Sequence, residues 1–165
     1  MGLIADTHGL LRPEAKAFLL RSDLIVHAGD IGGPRILEEL FSIAPVSAVR
    51  GNNDREPGAA HLPQTAYVHA GAVGIYVVHD LADLRSGPLP AAAQVIVSGH
   101  SHKPLLERRG GVLFVNPGSA GPRRFKLPVA AGELLIEGET AQARIVDLTN
   151  ARLLAHLEFA VAAAG

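Results

Sequence analysis

The chain has 165 residues, 48% of them hydrophobic and 19% charged, and this composition predicts one globular domain spanning residues 1–165. It contains no cysteine, which excludes disulfides and thiolate metal sites, so any transition-metal site must use His, Asp, Glu or Asn. A net charge of −1 argues against a stable nucleic-acid partner, and the lack of a secretory leader or of an apolar run of about 18 residues predicts a cytoplasmic protein without membrane contact.

The first half of the chain alternates apolar segments with amphipathic ones. Residues 3–5 predict a short apolar strand, 24–28 form a continuous run typical of a strand covered on both faces, and 46–49 predict a third strand. Between them, Pro13 and Pro34 each begin a segment with helical periodicity. This order predicts a parallel sheet with right-handed crossovers, in which ligands bind beyond the carboxyl ends of the strands.

The second half has the short alternating segments of antiparallel pairs. The predicted strands are 65–69 and 73–78, which form a hairpin, 95–98, a second hairpin of 105–108 and 112–115, and then 125–129, 133–136 and 143–146. Residues 82–94 predict a connection with at most one helical turn, whereas 151–164 are compatible with either a helix or a strand. The whole pattern favours an α/β (α+β) fold, a sandwich of two mixed sheets with helices outside.

Polar side chains follow five of these predicted strands. They are Asp6 and His8 (D-x-H), Asp30 (G-D), Asn52 (G-N-x-D), His79, and His100 and His102 (G-H-x-H). Taken singly, each has an ordinary reading: an Asp that begins a turn, an Asn that tolerates left-handed geometry, or a structural His. Their shared placement at strand ends predicts instead that they converge on a metal site.

The predicted donors are carboxylate and amide oxygens together with imidazole nitrogens. This mixture suits Mn, Fe, Zn, Co or Ni better than Ca or Mg. Two such ions about 3.5–4 Å apart, joined by one carboxylate, clamp an in-line displacement at phosphorus. A water bridging the ions loses a proton near neutral pH and becomes the nucleophile.

The order of these motifs resembles the calcineurin-like metallophosphoesterases, and most of all their small single-domain bacterial and archaeal phosphodiesterases of the YfcE type. The resemblance extends from about Ile4 to Asp147, and it includes the turn 116–119. It implies a four-layer αββα sandwich and two divalent metal ions. By the family's pattern Asp6, His8 and His102 hold the first ion, Asn52, His79 and His100 hold the second, and Asp30 bridges them.

Two positions depart from the family's pattern. Many members have a His directly after the metal-binding Asn, where this chain has Asn53; we expect Asn53 to contact the phosphate without donating a proton. The motif of His79 usually continues with Gly, where this chain has Asp80. Asp80 is therefore either a partner of a metal-binding imidazole or a residue that caps the next segment.

The remaining polar residues have plainer readings. His27, inside a predicted strand, either fills the core or supports a ligand from behind. The others are expected at the surface: His61, His69, His156, and the loop residues Arg123 and Arg124, which could otherwise contact a phosphate, as could Arg55.

The function that this pattern predicts is a metal-dependent phosphodiesterase. The expected substrate is a small phosphodiester, which a metal-bridging hydroxide attacks. Asp30 and Asn53 are the predicted catalytic residues. The sequence is also compatible with a homo-oligomer.

The alternative is a protein-interaction scaffold, because a eukaryotic relative, the small retromer coat subunit, has this fold without normal catalysis. The complete set of seven ligands favours the enzyme. A nuclease of the double-strand-break repair type needs an additional DNA-binding domain, for which 165 residues leave no room.

Overall fold

The computed structural model describes residues 1–86, 89, 93–138 and 140–160. The strands are β1 (Gly2–Ile4), β2 (Ile25–His27), β3 (Val46–Ala48), β4 (Thr65–Ala70), β5 (Val73–Val78), β6 (Val95–Val97), β7 (Leu105–Arg109), β8 (Val112–Asn116), β9 (Ala130–Glu137), β10 (Thr140–Asp147) and β11 (Arg152–Ala160). The α-helices are α1 (Pro13–Leu19) and α2 (Pro34–Phe41), each with Pro at its first position, where the missing N–H costs no helical hydrogen bond. Two 3-10 helices span Pro57–His61 and Leu81–Ser86.

The strands form two mixed sheets. The first has the order β11-β10-β9-β1-β2-β3, in which β1, β2 and β3 are parallel neighbours and β9 to β11 form an antiparallel meander. The second has the order β4-β5-β6-β8-β7, in which β5, β6 and β8 are parallel and the outer strands are antiparallel. The parallel side of the first sheet follows from the crossover connections that the first half of the sequence predicts, and the hairpins β4-β5 and β7-β8 lie at the two edges of the second.

The two sheets pack face to face over one apolar core. Alternation along β6 shows how the layers are made: Val95 and Val97 point into the core between the sheets, while Ile96 points to the outer face of the second sheet. All three side chains are fully buried, and each burial contributes about 1.5–3 kcal/mol relative to exposure. The core therefore fixes the register of β6, and with it the direction of the residues that follow the strand.

Helices cover the outer faces. Ile36 and Leu40 of α2 pack with Ile4 and Ile25 on the first sheet. The outer face of the second sheet contacts Leu81 and Leu84 of the second 3-10 helix. The predicted αββα sandwich is confirmed, although within the described residues its fourth layer is a 3-10 helix. None of the helices in that part of the chain has the length and apolarity needed to traverse a bilayer.

The predicted strand at 125–129 is wrong. Phe125 has a φ of 50°, the N–H of Leu127 donates to the carbonyl of Arg124, and only Val129 forms an isolated bridge, to Ser119. Pro128 has no N–H for a ladder, so regular pairing starts at residue 130. Of residues 151–164, whose sequence is compatible with either a helix or a strand, Arg152–Ala160 form β11, and 161–164 lie outside the described residues. The helical turn expected within 82–94 corresponds to Leu81–Ser86, and residues 87, 88 and 90–92 of that connection lie outside the described residues.

Candidate metal centre

The seven side chains at strand ends lie together at one edge of the sandwich. They are Asp6 and His8 after β1, Asp30 after β2, Asn52 after β3, His79 after β5, and His100 and His102 after β6. The carboxyl ends of the parallel strands bring the residues of each sheet together. The backbone N–H of His100 donates to Asp6 Oδ1 at 3.3 Å and so joins the loops of the two sheets.

Asp6, His8 and His102 form a first group. Nε2 of His8 lies 3.2 Å from Nε2 of His102, which in turn lies 3.4 Å from Asp6 Oδ1. Each residue offers one ligand atom within 4.8 Å of the others, and Asp6, Asp30 and His79 meet the same criterion. Three ligand atoms at this spacing can bind a single ion, and Asp6 belongs to both sets.

Asn52, His79 and His100 form a second group. Asn52 Oδ1 lies 3.1 Å from His79 Nε2 and 2.9 Å from His100 Nδ1. This amide oxygen and the two imidazole nitrogens therefore face one another across a small space. The sequence assigned the same three residues to the second ion through the family resemblance.

Asp30 lies between the two groups. Its Oδ2 is 3.5 Å from His79 Nε2 and 3.8 Å from His8 Nε2. Asn53 holds the carboxylate in place, because its backbone N–H donates to Oδ1 at 2.8 Å and its side-chain amide donates to Oδ2 at 2.6 Å. The amide of Asn53 thus contacts a carboxylate, whereas the sequence predicted a contact with substrate phosphate.

Five of the seven residues have left-handed backbone conformations. The φ values are 54° for Asp6, 46° for His8, 55° for Asp30, 66° for His100 and 57° for His102. This region is uncommon for residues other than glycine, and such strain concentrates at functional sites. The surrounding fold maintains these conformations, which argues that the direction of these side chains serves a purpose.

The Asp6 carboxylate is buried, and one of its oxygens lacks a hydrogen bond within the described residues. Its side chain is fully buried, and Oδ2 has no hydrogen-bond partner among the residues that the structure describes. Burial raises the pKa of Asp6 to about 7, and the neighbouring charge of Asp30 adds to the rise while His79 opposes it. A buried carboxylate oxygen without a partner is costly, and a divalent ion would supply the missing interaction. The donor set therefore fits a metal ion.

The imidazoles of the first group are held neutral. Burial lowers the pKa of His102 to about 4, with further lowering from the positive charge of Arg124, and burial also lowers the pKa of His8. Burial alone would also lower the pKa of His79, but its contacts with Asp30 and Ala28 raise it overall. For Asp30, burial alone would raise the pKa, but hydrogen bonds from His79 and Asn53 outweigh burial and hold the pKa well below its usual range. Neutral imidazoles and an ionised carboxylate are the protonation states that bind metal.

Hydrogen bonds behind the site fix two imidazoles. His79 Nδ1 donates to the carbonyl of Ala28 at 2.7 Å, so that Nε2 is the nitrogen that faces Asn52 and Asp30. His27 is fully buried, contacts Thr7 Oγ1 through Nε2 at 2.9 Å and accepts the N–H of Gly29 at 3.2 Å. It supports the loops that carry Asp6 and Asp30, in agreement with one of its two sequence readings.

Gly29 and Gly51 allow these loops to approach closely. A Cβ on Gly29, whose φ is 89°, would lie 2.5 Å from His79 Nδ1, and one on Gly51 would collide with the backbone and carboxylate of Asp30. A residue with a side chain at either position would therefore push apart the loops that follow β2 and β3 and displace them from His79 and Asp30. The glycines in the G-D and G-N-x-D motifs are required by this packing.

Two supporting residues were not identified from the sequence. Asp54 accepts three backbone N–H groups, from Ile31 at 2.7 Å, Gly32 at 2.9 Å and Gly51 at 2.8 Å, and so joins the loops that carry Asp30 and Asn52. Asn116 donates to the carbonyl of Gly99 at 2.6 Å, beside His100. The role of Asp54 could have been predicted, because it is the Asp of the G-N-x-D motif, and a buried Asp in a Gly-rich turn usually accepts backbone hydrogen bonds.

The loop 121–128 borders the first group. Gly121 packs against the carbonyl groups of Asp6 and Thr7, and Arg12 donates to its carbonyl at 2.9 Å. Arg124 lies close enough for its charge to lower the pKa values of Asp6, His8 and His102. The expectation that Arg124 is a solvated loop residue is therefore incomplete, because its charge also acts on the candidate site.

A cleft of about 780 Å³ borders the second group. It is lined by residues that include Arg50, Asn52, Arg55, His79, Asp80 and His100. Arg55 also donates to the carbonyl of Asn52 at 3.2 Å. The surface histidines are exposed as expected: His61, His69 and His156.

The fold and this site together define a metallophosphoesterase, a metal-dependent hydrolase of phosphoric esters. The family model described as the calcineurin-like phosphoesterase superfamily domain matches residues 1–138. The chain belongs to this family, which confirms the resemblance read from the sequence.

Named relatives agree with this assignment. A probable metallophosphoesterase of Methanothermobacter thermautotrophicus is 34% identical over 96% of this chain and 98% of its own. Phosphodiesterase YfcE of Escherichia coli is 36% identical over 61% of this chain and 58% of its own. The solved structure of YfcE covers 95% of this chain and 98% of its own, with a TM-score of 0.70 and 27% identity. Vacuolar protein sorting 29 of Cryptosporidium parvum has a TM-score of 0.81 over 96% of each chain at 22% identity, a likeness of fold alone.

Proposed function

We propose that this protein is a dinuclear-metal phosphodiesterase that hydrolyses small phosphodiesters. The observation that carries the proposal is the arrangement of two groups of ligand atoms around the shared carboxylate of Asp30. The first ion would be held by Asp6, His8 and His102, and the second by Asn52, His79 and His100. Asp30 lies within 4 Å of an imidazole from each group, the position that a bridging ligand requires.

The chemistry of the donors supports ions such as Mn, Fe, Zn, Co or Ni. When bound, a pair of these ions would supply Lewis-acid polarisation of the phosphoryl oxygens and an acidified attacking water. The chain's own contribution is preorganisation. The left-handed loop conformations and the hydrogen bond from His79 to Ala28 orient the ligand side chains before any ion binds.

The surroundings of the site support a small phosphodiester as the substrate. The cleft of about 780 Å³ beside His79 and His100 is the size of a pocket for a small organic group. Arg124 places positive charge next to the first group, where it favours an anionic phosphate. With its amide engaged by Asp30, Asn53 acts on catalysis through that carboxylate, and an amide has no dissociable proton for the leaving group.

The scaffold alternative rests on the likeness to vacuolar protein sorting 29, which is one of fold only. The two functions differ in what they require of the ligands. An enzyme requires all seven side chains, whereas a scaffold would tolerate their replacement. The complete set in this chain favours the enzyme.

The test is metal-stripped protein reconstituted with Mn, Ni, Zn, Co or Fe and assayed with bis(4-nitrophenyl) phosphate. Metal stoichiometry is measured in parallel on wild type, Asp30→Ala and His102→Ala. If Asp30 bridges the ions, Asp30→Ala loses both of them, whereas His102→Ala weakens mainly the first. His69→Ala, a change in an exposed histidine outside the site, is the control and should retain both.

Wild-type protein that binds no transition metal and shows no turnover after reconstitution would overturn the proposal. Equal metal content in Asp30→Ala and wild type would instead contradict only the bridging role.

A further inference from the structure

The carboxylate of Asp80 faces the imidazole of His100. Asp80 Oδ2 lies 3.5 Å from His100 Nε2, at the outer limit of hydrogen-bonding distance. On the other side of the ring, His100 Nδ1 lies 2.9 Å from Asn52 Oδ1. The imidazole therefore stands between an acidic side chain and a candidate ligand of the second ion, with a different nitrogen directed at each.

The backbone fixes the direction of the Asp80 carboxylate. Its Oδ1 accepts the N–H of Ala82 at 2.9 Å, and its carbonyl accepts the N–H of Asp83 at 3.1 Å, at the start of the 3-10 helix Leu81–Ser86. Oδ2 is thereby left to face His100. The sequence allowed two roles for Asp80, a partner of an imidazole or a capping residue. The structure is compatible with both at once, because Oδ1 accepts the Ala82 N–H while Oδ2 faces His100.

We propose that Asp80 is a positioning residue for the second metal ion. It accepts the Nε2–H of His100, which leaves Nδ1 as the nitrogen available to a metal ion, and it keeps Nδ1 directed at the space shared with Asn52 and His79. This inference rests on the proposed metal-binding role of His100.

His79 offers an internal parallel for this role. Its Nδ1 donates to the carbonyl of Ala28, so that its Nε2 faces the same amide oxygen of Asn52, at 3.1 Å. A metal-binding imidazole usually has its second nitrogen held by a carboxylate, carbonyl or water, and loss of that partner costs about 10–100-fold in metal affinity. Asp80 stands where the family's pattern has Gly, so this chain supplies for His100 what a glycine could not.

The exposure of the pair sets the size of the effect. The side chains of His100 and Asp80 are 45% and 36% exposed, so water competes for both. We therefore expect a loss near the lower end of that range, about tenfold in affinity for the second ion.

The first experiment needs no metal. Nitrogen-15 NMR of the histidine rings in metal-free protein reports which ring nitrogen carries the proton. In metal-free wild type both ring nitrogens of His100 face an acceptor, Asn52 Oδ1 at 2.9 Å from Nδ1 and Asp80 Oδ2 at 3.5 Å from Nε2, so we expect a measurable share of the Nε2–H form beside the Nδ1–H form. In Asp80→Asn the amide oxygen can still accept the Ala82 N–H, and its NH₂ then faces Nε2, so the preference should shift towards the Nδ1–H tautomer. Asp83→Asn removes a charge from the same cleft wall and should leave the tautomer unchanged.

The second experiment titrates Mn²⁺ into the metal-stripped wild type and both variants by calorimetry. Asp80→Asn should weaken the second binding step about tenfold and leave the first unchanged, whereas Asp83→Asn should resemble wild type. Asp80→Glu, which keeps the charge, should recover part of the loss.

Equal affinity for the second ion in wild type and Asp80→Asn, or an unchanged His100 tautomer, would overturn this inference while the proposed function stands. Wild-type protein that binds no second ion would overturn the proposed dinuclear site itself.

Discussion

The side-chain amide of Asn53 donates to Asp30 Oδ2 at 2.6 Å, while its backbone N–H donates to Oδ1 at 2.8 Å. Both oxygens of the candidate bridging carboxylate are thus held by one residue, the residue that stands where many family members have a histidine. A side chain occupied in this way supports the carboxylate and has no proton to give to a leaving group.

Asn53→Ala should therefore lower activity towards aryl and alkyl phosphodiesters by a similar factor, about 10–100-fold. The wild-type rate itself should fall steeply as the leaving-group pKa rises, because a general acid worth about 10²–10⁴-fold is lacking. The measurement is kcat/KM for diesters of graded leaving-group pKa. A shallow wild-type slope that steepens in Asn53→Ala would mean that Asn53 assists the leaving group after all.

Metal affinity should depend on pH through Asp6. Burial raises the pKa of its carboxyl to about 7, so in metal-free protein the group is largely protonated below that pH, and an ion must displace the proton to bind. Affinity should rise about tenfold per pH unit up to neutrality and then level off. His8 and His102 do not add to this dependence near neutrality, because their pKa values are lowered. His79, whose pKa is raised, contributes with the same sign.

Calorimetric titration with Mn²⁺ between about pH 5.5 and pH 8, in buffers of different ionisation enthalpy, counts the protons released. Release of more than one proton near pH 6, from Asp6 and His79 together, and of fewer at pH 8 is the expected result. Affinity that does not change over this range would show that Asp6 is already ionised without metal.

Arg124→Gln should have opposite effects on substrate and metal. Its positive charge lowers the pKa values of Asp6, His8 and His102, so it opposes a cation there and attracts an anionic phosphate. The variant should raise KM about threefold to tenfold, with the first ion bound equally or more tightly, and added salt should reduce the difference. Arg123→Gln is the matched control, because the charge of Arg123 acts on Asp147. An unchanged KM in Arg124→Gln would place the phosphate away from this loop.

Much of the fold was predictable because hydrophobic patterns report burial. The apolar run at 24–28 is typical of a strand covered on both faces, and the crossovers between the first three strands require parallel pairing. Residues 125–129 were misread because their alternation resembles a strand, while Pro128 and the left-handed Phe125 prevent one. Residues 152–160 were undecided because β11 is an outer strand whose mostly exposed side chains have little apolar periodicity.

The sequence predicted where the side chains of the candidate site lie, at the ends of strands, but not which residues they contact. That the side chains at the parallel strand ends of each sheet would lie close together follows from topology. Which amide holds Asp30, or which acid faces His100, depends on how separate loops meet across two sheets. Neither the hydrogen bonds of Asn53 nor the contact of Asp80 could be read from sequence spacing.

Asp54 should be the most important of the supporting residues for stability. It accepts N–H groups of Ile31 and Gly51, which are buried, and of Gly32, and thereby ties the loop of Asp30 to that of Asn52. Asp54→Ala leaves at least two buried donors without a partner, at a cost of about 2–4 kcal/mol in the free energy of unfolding. Urea denaturation of metal-free protein measures this, with the exposed Asp83→Asn as a control within about 0.5 kcal/mol of wild type. Because the freed loops also separate Asp30 from Asn52, Mn²⁺ affinity should fall in the same variant. An Asp54→Ala protein as stable as Asp83→Asn would show that water replaces the carboxylate at these donors.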